Sequence, residues 1–253
     1  MHQPGHDQSG HSIRCEWGPT GAAAVAAEVA VVVDVLSFTT TLSVAIEQGI
    51  EVFPFRWNDA RAAEHALRHG ATLALGRFEA LARRDARPVS LSPASLATVQ
   101  GVERLVLPSP NGSSIAFGLA ETGAEVVGAS LRNADAVADW LAPQILGGAT
   151  CAVIPAGERW PDGSLRPAAE DLWGAGAVIA GLVDRGVVGL SPEARLAEES
   201  FRAVRPDVAA ELAACASGVE LVTGGFADDV AVAGQLDASK VVPVLRGESF
   251  VGA

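Results

Sequence analysis

The stretch VAVVVDVLSFTTTLSVAIEQ, residues 29–48, decides the fold. It opens with an unbroken, mostly β-branched apolar run, which a strand tolerates only where both faces of its sheet are covered. The run meets an acidic residue, Asp34, and gives way at a Ser/Thr cluster to an Ala- and Leu-bearing segment of helical character. A strand over residues 29–35 and a helix over 39–48 follow. Working outward, short β-branched runs alternate with longer Ala-rich stretches. They predict strands at 52–55, 73–75, 105–107, 126–128, 151–155 and 241–245. Helices are predicted at 59–68, 113–121, 134–141, 168–182, 192–204 and 208–216. That alternation reads as an α/β fold, three layers α/β/α about a largely parallel or mixed sheet.

A weak internal repeat runs through the chain. AIEQGIEVF (45–53) echoes LAETGAEVV (119–127), with Gly49 matching Gly123 and Glu51 matching Glu125. On the same offset, Thr39-Thr40 falls on Ser113-Ser114; further on, Asn58-Asp59-Ala60 resembles Asn133-Ala134-Asp135, and Gly70-Ala71-Thr72 resembles Gly148-Ala149-Thr150. Two βαβαβ halves, about 13–103 and 104–253, are the natural interpretation within one domain spanning 13–253. A cleft is then expected where strand order reverses, with the loops after Val33 and Leu107 meeting there. Residues 1–12, polar and containing His2, His6 and His11, read as a flexible tail.

Composition narrows the function. The 253 residues are 49% hydrophobic and carry a net charge of -12, with Lys240 the only lysine. Nucleic acid and anionic membranes both demand a cationic surplus, so neither is an expected partner. The longest apolar run, 29–36, is too short to span a bilayer. Cys15, Cys151 and Cys215 form no CxxC pair, which fits reduced thiols in a cytoplasmic protein. His65 and His69, four apart without the Glu of an H-E-x-x-H pattern, read as surface residues.

Three loops carry candidate chemistry. In the first, Asp34 leaves a buried strand and must be paired, hydrogen-bonded or metal-bound. Ser37, Thr39 and Thr40 open the following helix, whose free amides suit a phosphate. The alternative is capping by Ser37 or Thr39. In the second, SPNGSS places Asn111-Gly112 in a sharp turn before Ser113-Ser114. In the third, GERWPDGSLRPAAED packs Glu158, Arg159, Asp162, Arg166, Glu170 and Asp171 into residues 157–171. Carboxylates of this kind suit Mg²⁺, and arginines suit phosphate oxygens. The bland account is a charged surface loop with acidic residues favouring a helix start. Ser92-Pro93 and Asp228-Asp229 read as structural.

Several phosphoryl-transfer routes are excluded by what the chain lacks. There is no GxxxxGK[ST] loop. Six residues beyond each cysteine stand Gly21, Gly157 and Leu221, never the arginine of a Cys-x5-Arg phosphatase. Leu36 occupies the position where an aspartyl-phosphate motif repeats its Asp. Metal-assisted hydrolysis is what is left.

The segments DVLSFTTT, SPNGSS, GERWPDGSLRPAAEDLWGAGA and GGFADDVAVAGQLDASKVVPV resemble the 2-phosphosulfolactate phosphatase (ComB) family, from about Cys15 onward. The resemblance implies a Mg²⁺-dependent phosphatase converting 2-phosphosulfolactate to sulfolactate, a step of coenzyme M synthesis. Asp34, Asn111, Gly112, Glu158, Arg159, Asp162, Glu170, Asp171 and Asp229 match the family pattern. Three places depart from it: Ser37-Phe38 stands for Arg-Ala, Gly76-Arg77-Phe78 for Gly-Glu-Arg, and Ser114 for an arginine. The resulting expectation gives Asp34, Glu170 and Asp171 to the metal, and Ser37, Thr39, Thr40, Asn111, Gly112, Ser113 and Arg166 to the substrate. Asp34, Glu158, Arg159 and Asp162 are the catalytic set, with acid–base duty open between Glu158 and Asp162. The expected partner is a small phosphate monoester, and a homodimer is allowed. A phosphoacid-binding or sensory module that keeps the fold without turnover is the rival reading, motivated by the absent arginines.

Overall fold

The computed structural model describes residues 5–56, 59–83 and 88–253; His2 and Asn58 lie outside them. The apolar run that opens the chain's first long helix–strand unit explains the layers. Val29, Val31 and Val33 enter one core, while Ala30 and Val32 enter another on the opposite face. A strand with no wet face must lie inside the sheet, and it does.

The main sheet has nine strands. In chain order the strands are β1 (Ile13–Cys15), β2 (Val29–Val33), β3 (Glu51–Phe55), β4 (Thr72–Leu73), β5 (Arg104–Pro108), β6 (Glu125–Ala129), β7 (Cys151–Pro155), β8 (Glu158–Arg159), β9 (Leu165–Arg166), β10 (Pro243–Arg246) and β11 (Ser249–Gly252). The sheet order is β1-β7-β2-β6-β10-β11-β3-β5-β4, and β8 and β9 form a separate hairpin. β1, β7, β2 and β6 run parallel, as do β3, β5 and β4. The antiparallel hairpin β10–β11 joins these blocks, so they run in opposite directions.

This order corrects the picture of two consecutive halves. The repeat pairs β2 with β5, β3 with β6 and β4 with β7. In space β2 lies between β6 and β7, and β5 lies between β3 and β4. The first strand of each half is thus inserted between the later strands of the other. Exchanging the halves reverses the sheet order onto itself, a pseudo-two-fold arrangement centred on the β10–β11 hairpin. The halves are interlaced, and neither is a separable unit.

The sheet also curls. Ala152 and Ile154 of β7 share one core with Leu105 and Leu107 of β5, six places away in strand order. Accumulated right-handed twist brings such distant strands together around enclosed helices. Here the enclosed helices are Phe38–Glu47 and Gly112–Ala120, which follow β2 and β5. Ala134–Leu146, Ala169–Asp184 and Pro192–Val204 cover the outer face beside β2. Ala60–His69 covers it beside β3, through Phe53, Phe55 and Val106.

Four expectations change. β2 ends at Val33, because the Val35 amide turns away and donates to Asp171 Oδ1 at 2.7 Å. The segment Gly5–Ser12 is held, with Gln8 buried and exchanging two hydrogen bonds with the Cys15 backbone at 2.9 and 3.0 Å. His65 is buried, stacked on Phe55 at 4.6 Å, and His69 stacks on Phe53 at 4.3 Å. Sequence patterning also misses β1, β11 and the helices Gly18–Ala24, Arg77–Ala82, Pro93–Leu96 and Ala227–Ala233. All are short, so none shows a sustained period. Among the described residues, no helix is long and apolar enough to cross a membrane.

Gly174 sets the approach of the Ala169–Asp184 helix to β2. A Cβ there would stand 2.7 Å from both Val33 and Val35. Gly174→Val is expected to lower unfolding free energy by about 1–3 kcal/mol, as overpacking of a filled core does, measured by urea denaturation followed by circular dichroism. An unchanged midpoint would show that the helix can shift freely.

Candidate active site

Asp34 sits where β2 delivers the chain to the first enclosed helix, and it is 7% exposed. Its Oδ1 accepts from the Phe38 amide and its Oδ2 from the Gly112 amide, each at 3.1 Å. Phe38 and Gly112 are the first residues of the two enclosed helices. They also occupy matching positions in the repeat. One carboxylate therefore caps both halves, and two positive helix ends face it. Ser109 Oγ adds a donor at 3.4 Å. A side chain on Gly112 would fall 2.4 Å from the Phe38 ring and 2.8 Å from Asp34 Oδ2, so glycine is required there.

Asp171 makes a parallel link from the helix that follows the β8–β9 hairpin. It accepts from Val35 N, and from Gly157 N at 2.8 Å, so it binds the loop after β2 to the loop after β7. Glu170 beside it is 2% exposed. Asn111 Nδ2 donates to Glu158 Oε2 at 3.2 Å, and Arg159 Nε donates to Asn111 Oδ1 at 3.2 Å.

Burial pushes Asp34 up, against the hydrogen bonds from Phe38 and Gly112, with Glu170 adding repulsion. Burial also lifts Asp171 well above the carboxylate range, helped by the charges of Asp34 and Glu170. Glu158 rises to about 7, first through burial and then through Asp34 and Glu170. Four carboxylates thus share one poorly solvated region, which favours cations.

Of the four, Asp34 and Glu158 line a cavity of about 190 Å³ together with Ser37, Arg77, Ser109 and Asn111, and Glu170 and Asp171 are not part of its lining. Arg77 is the functional candidate that sequence reading missed. It enters from the helix after β4, donating to Ser37 Oγ and, at 2.6 Å, to Asp229 Oδ2. Asp229 is itself buried and accepts from Ser92 Oγ and from Ala94 N at 3.2 Å. Residues 77, 92 and 229 lie in different stretches of the sequence, and no local pattern links them.

Other expected site residues do different work. Thr39, Thr40 and Ser113 are fully buried. Thr39 Oγ1 donates to Asp34 O at 2.8 Å, Thr40 Oγ1 to Val35 O at 2.7 Å, and Ser113 Oγ to Leu107 O at 3.4 Å. These three shape the loops and do not face the cavity. The Phe38, Thr39 and Gly112 amides are spent on Asp34, so they are not a phosphate cradle. Asp162 is exposed, closes the hairpin turn onto Ser164 N at 2.9 Å, and is held below its ordinary value by Ser164. That leaves Glu158 as the acid–base candidate on the cavity. Arg166 donates to Ser217 Oγ at 2.9 Å, with its charge opposing the rise of Glu158.

Among the described residues, no group of three His, Cys, Asp or Glu side chains is arranged to hold a metal ion. The donor set nevertheless fits a hard cation held by few protein ligands. An ionised carboxylate offers about four lone pairs. The contacts above use three at Asp34 and two at Asp171. Mg²⁺ commonly takes one or two carboxylates, completing its shell with water and substrate phosphate.

Residues 20–248 match the family model described as 2-phosphosulpholactate phosphatase. A probable 2-phosphosulfolactate phosphatase from Thermus thermophilus is 31% identical over 221 residues, covering 87% of this chain and 89% of that protein. A protein of the same description from Deinococcus radiodurans is 30% identical over 226 residues, covering 86% and 88%.

The raised carboxyls make a pH prediction. A carboxyl whose folded value exceeds its unfolded value keeps its proton better when folded, so stability falls as pH rises between the two. For Glu158 the window runs from about 4.3, the unperturbed value, to about 7. In EDTA the melting temperature is expected to fall across pH 5–7, and Glu158→Gln should flatten that slope. An identical slope in the variant would assign the effect to other groups.

Proposed function

Because the chain belongs to the 2-phosphosulpholactate phosphatase family, we propose that the Asp34 cavity hydrolyses a small anionic phosphate monoester, 2-phosphosulfolactate to sulfolactate or a related phosphorylated acid. The reaction would be of the type used in coenzyme M synthesis. The observation that carries this reading is that Asp34, Glu158 and Arg77 line one cavity. An acid, a buried anion and a guanidinium around about 190 Å³ suit a phosphate ester with a short carbon chain.

Mg²⁺ is the proposed cofactor, held by Asp34, Glu170 and Asp171; bound there, it supplies a Lewis acid that offsets the charge of the ester. The protein's own groups do the rest. Arg77 meets the phosphate oxygens, with Ser37 beside it. Asn111 holds Glu158 at the cavity wall, and Arg159 in turn orients the Asn111 amide. With its value near 7, Glu158 is protonated in a large share of molecules at neutral pH; it delivers that proton to the departing alkoxide oxygen while a water oxygen bonds to phosphorus, and the surplus proton of that water returns to Glu158 through solvent. Leu36 and Phe38 line the cavity and limit bulk water around the reacting groups.

Purified protein is expected to release phosphate from 2-phosphosulfolactate or short phosphorylated acids with Mg²⁺, and to lose that activity in EDTA. Full activity in EDTA removes the metal role. Asp34→Asn should lower kcat by roughly 10²–10³-fold, the scale of losing one preorganised electrostatic contact. Arg77→Gln should raise KM more than it lowers kcat, because its contact with phosphate exists before the transition state. Steady-state phosphate release separates the two effects; an unaltered KM would place Arg77 outside the binding site.

A further inference from the structure

Among the described residues lining the Asp34 cavity, Arg77 is the sole cation, and it is paired with Asp229. A phosphorylated acid brings a phosphate and at least one further anionic group. That second charge needs a partner of its own, because an unpaired ion is costly to take out of water. We propose that Arg159, at the edge of this cavity, is that partner: it binds the non-reacting carboxylate or sulfonate and makes the site select phosphorylated acids over neutral phosphate esters. The proposal rests on the phosphatase reading and deepens it, by assigning the residue that reads the acid half of the substrate.

Charge is the first reason. Arg159 Nε donates to Asn111 Oδ1 and a terminal nitrogen donates to Gly163 O, each at 3.2 Å. Both acceptors are neutral, and no carboxylate among the described residues pairs with this guanidinium. Elsewhere on this chain of net charge -12, exposed arginines are neutralised: Arg104 by Glu51, Arg202 by Asp184 and Arg246 by Glu125. A guanidinium has five N–H donors in a rigid fork. The two anchoring bonds use two of them and leave the others for an oxyanion. They also hold the fork in place before a ligand arrives, which lowers the ordering cost of binding.

Position is the second reason. Asn111, which lines the cavity, bonds both to Arg159 and to Glu158, the group that delivers a proton to the ester oxygen. In a 2-phosphorylated acid the carboxylate is attached to the same carbon as that oxygen. The acid group must therefore lie beside Glu158, and Arg159 follows Glu158 along β8 and is joined to it through Asn111. Arg166, across the hairpin from Glu158, is engaged elsewhere: it donates to Ser217 Oγ at 2.9 Å and stands 5.8 Å from the Trp160 ring centre.

The test measures kcat/KM, with Mg²⁺, for 2-phosphosulfolactate, 2-phospholactate and isopropyl phosphate, which has a methyl group where 2-phospholactate has its carboxylate. Wild-type protein is expected to prefer the two acids over isopropyl phosphate by about 10–100-fold, the scale of hydrogen bonds to a charged group. Arg159→Gln should lose most of that preference. Loosening of Asn111 in the same variant lowers turnover of all three esters alike, so it leaves the ratio unchanged and is separated from acid binding. Arg159→Lys keeps the charge without the fork and should restore part of the preference. No preference in the wild type, or a preference retained within about threefold in Arg159→Gln that circular dichroism shows to be folded, overturns the proposal and leaves the phosphatase reading standing. Failure of the wild-type protein to hydrolyse any of the three esters overturns both.

Discussion

Two helix N-termini converge on one buried carboxylate, and the rest of the molecule is arranged around that contact. Phe38 N and Gly112 N reach the two oxygens of Asp34 at the same distance, from helices that correspond in the internal repeat. An isolated ion there would be too costly to bury, and the two dipoles with their amides offset part of that cost. The contact needs both first turns at once, which requires the strands ahead of them to curl towards each other. Interlacing of the halves and the twist of the sheet supply that approach.

Having placed one anion in the interior, the fold places three more beside it. Asp171 braces the loop after β2 from the other side, while Glu170 and Glu158 crowd the same region and raise its carboxyl values. Such crowding opposes folding wherever these groups are ionised, and carboxyls raised in this way cluster at functional sites. The sole lysine, Lys240, is exposed and paired at 3.8 Å with Asp135, away from the cavity. Arginine carries the positive side of the site, and Arg77 is fixed by Asp229 and Ser37 before any substrate arrives. Planar guanidinium geometry suits that task, since it can keep its scaffold bonds and still present N–H groups to an oxyanion.

The repeat is visible in sequence, but its consequence is not. AIEQGIEVF and LAETGAEVV mark matching helix ends and strands, and the α/β layers follow from local period and from the double-sided apolarity of β2. Strand order is a property of pairing between distant segments, which no local period encodes. The insertion of β2 between β6 and β7, and of β5 between β3 and β4, therefore appears only in the folded chain. The same holds for β10–β11, whose antiparallel insertion turns two parallel blocks into one mixed sheet.

The sequence by itself determined which residue types were available for chemistry, and where the loops that carry them begin. Asp34 after an apolar strand, Asn111-Gly112 in a turn, and the acidic run to Asp171 were each recognisable, because each breaks a local apolar pattern. It also narrowed acid–base duty to Glu158 or Asp162. Tertiary structure decided the rest. It spent Thr39, Thr40 and Ser113 on backbone oxygens and left Asp162 in an exposed turn. It also brought Arg77, from the helix after β4, into the lining of the cavity that holds Asp34. The Arg77 contacts join residues 40 and 152 positions apart along the chain, and burial and such contacts are set by how strands pair, not by what any single segment prefers.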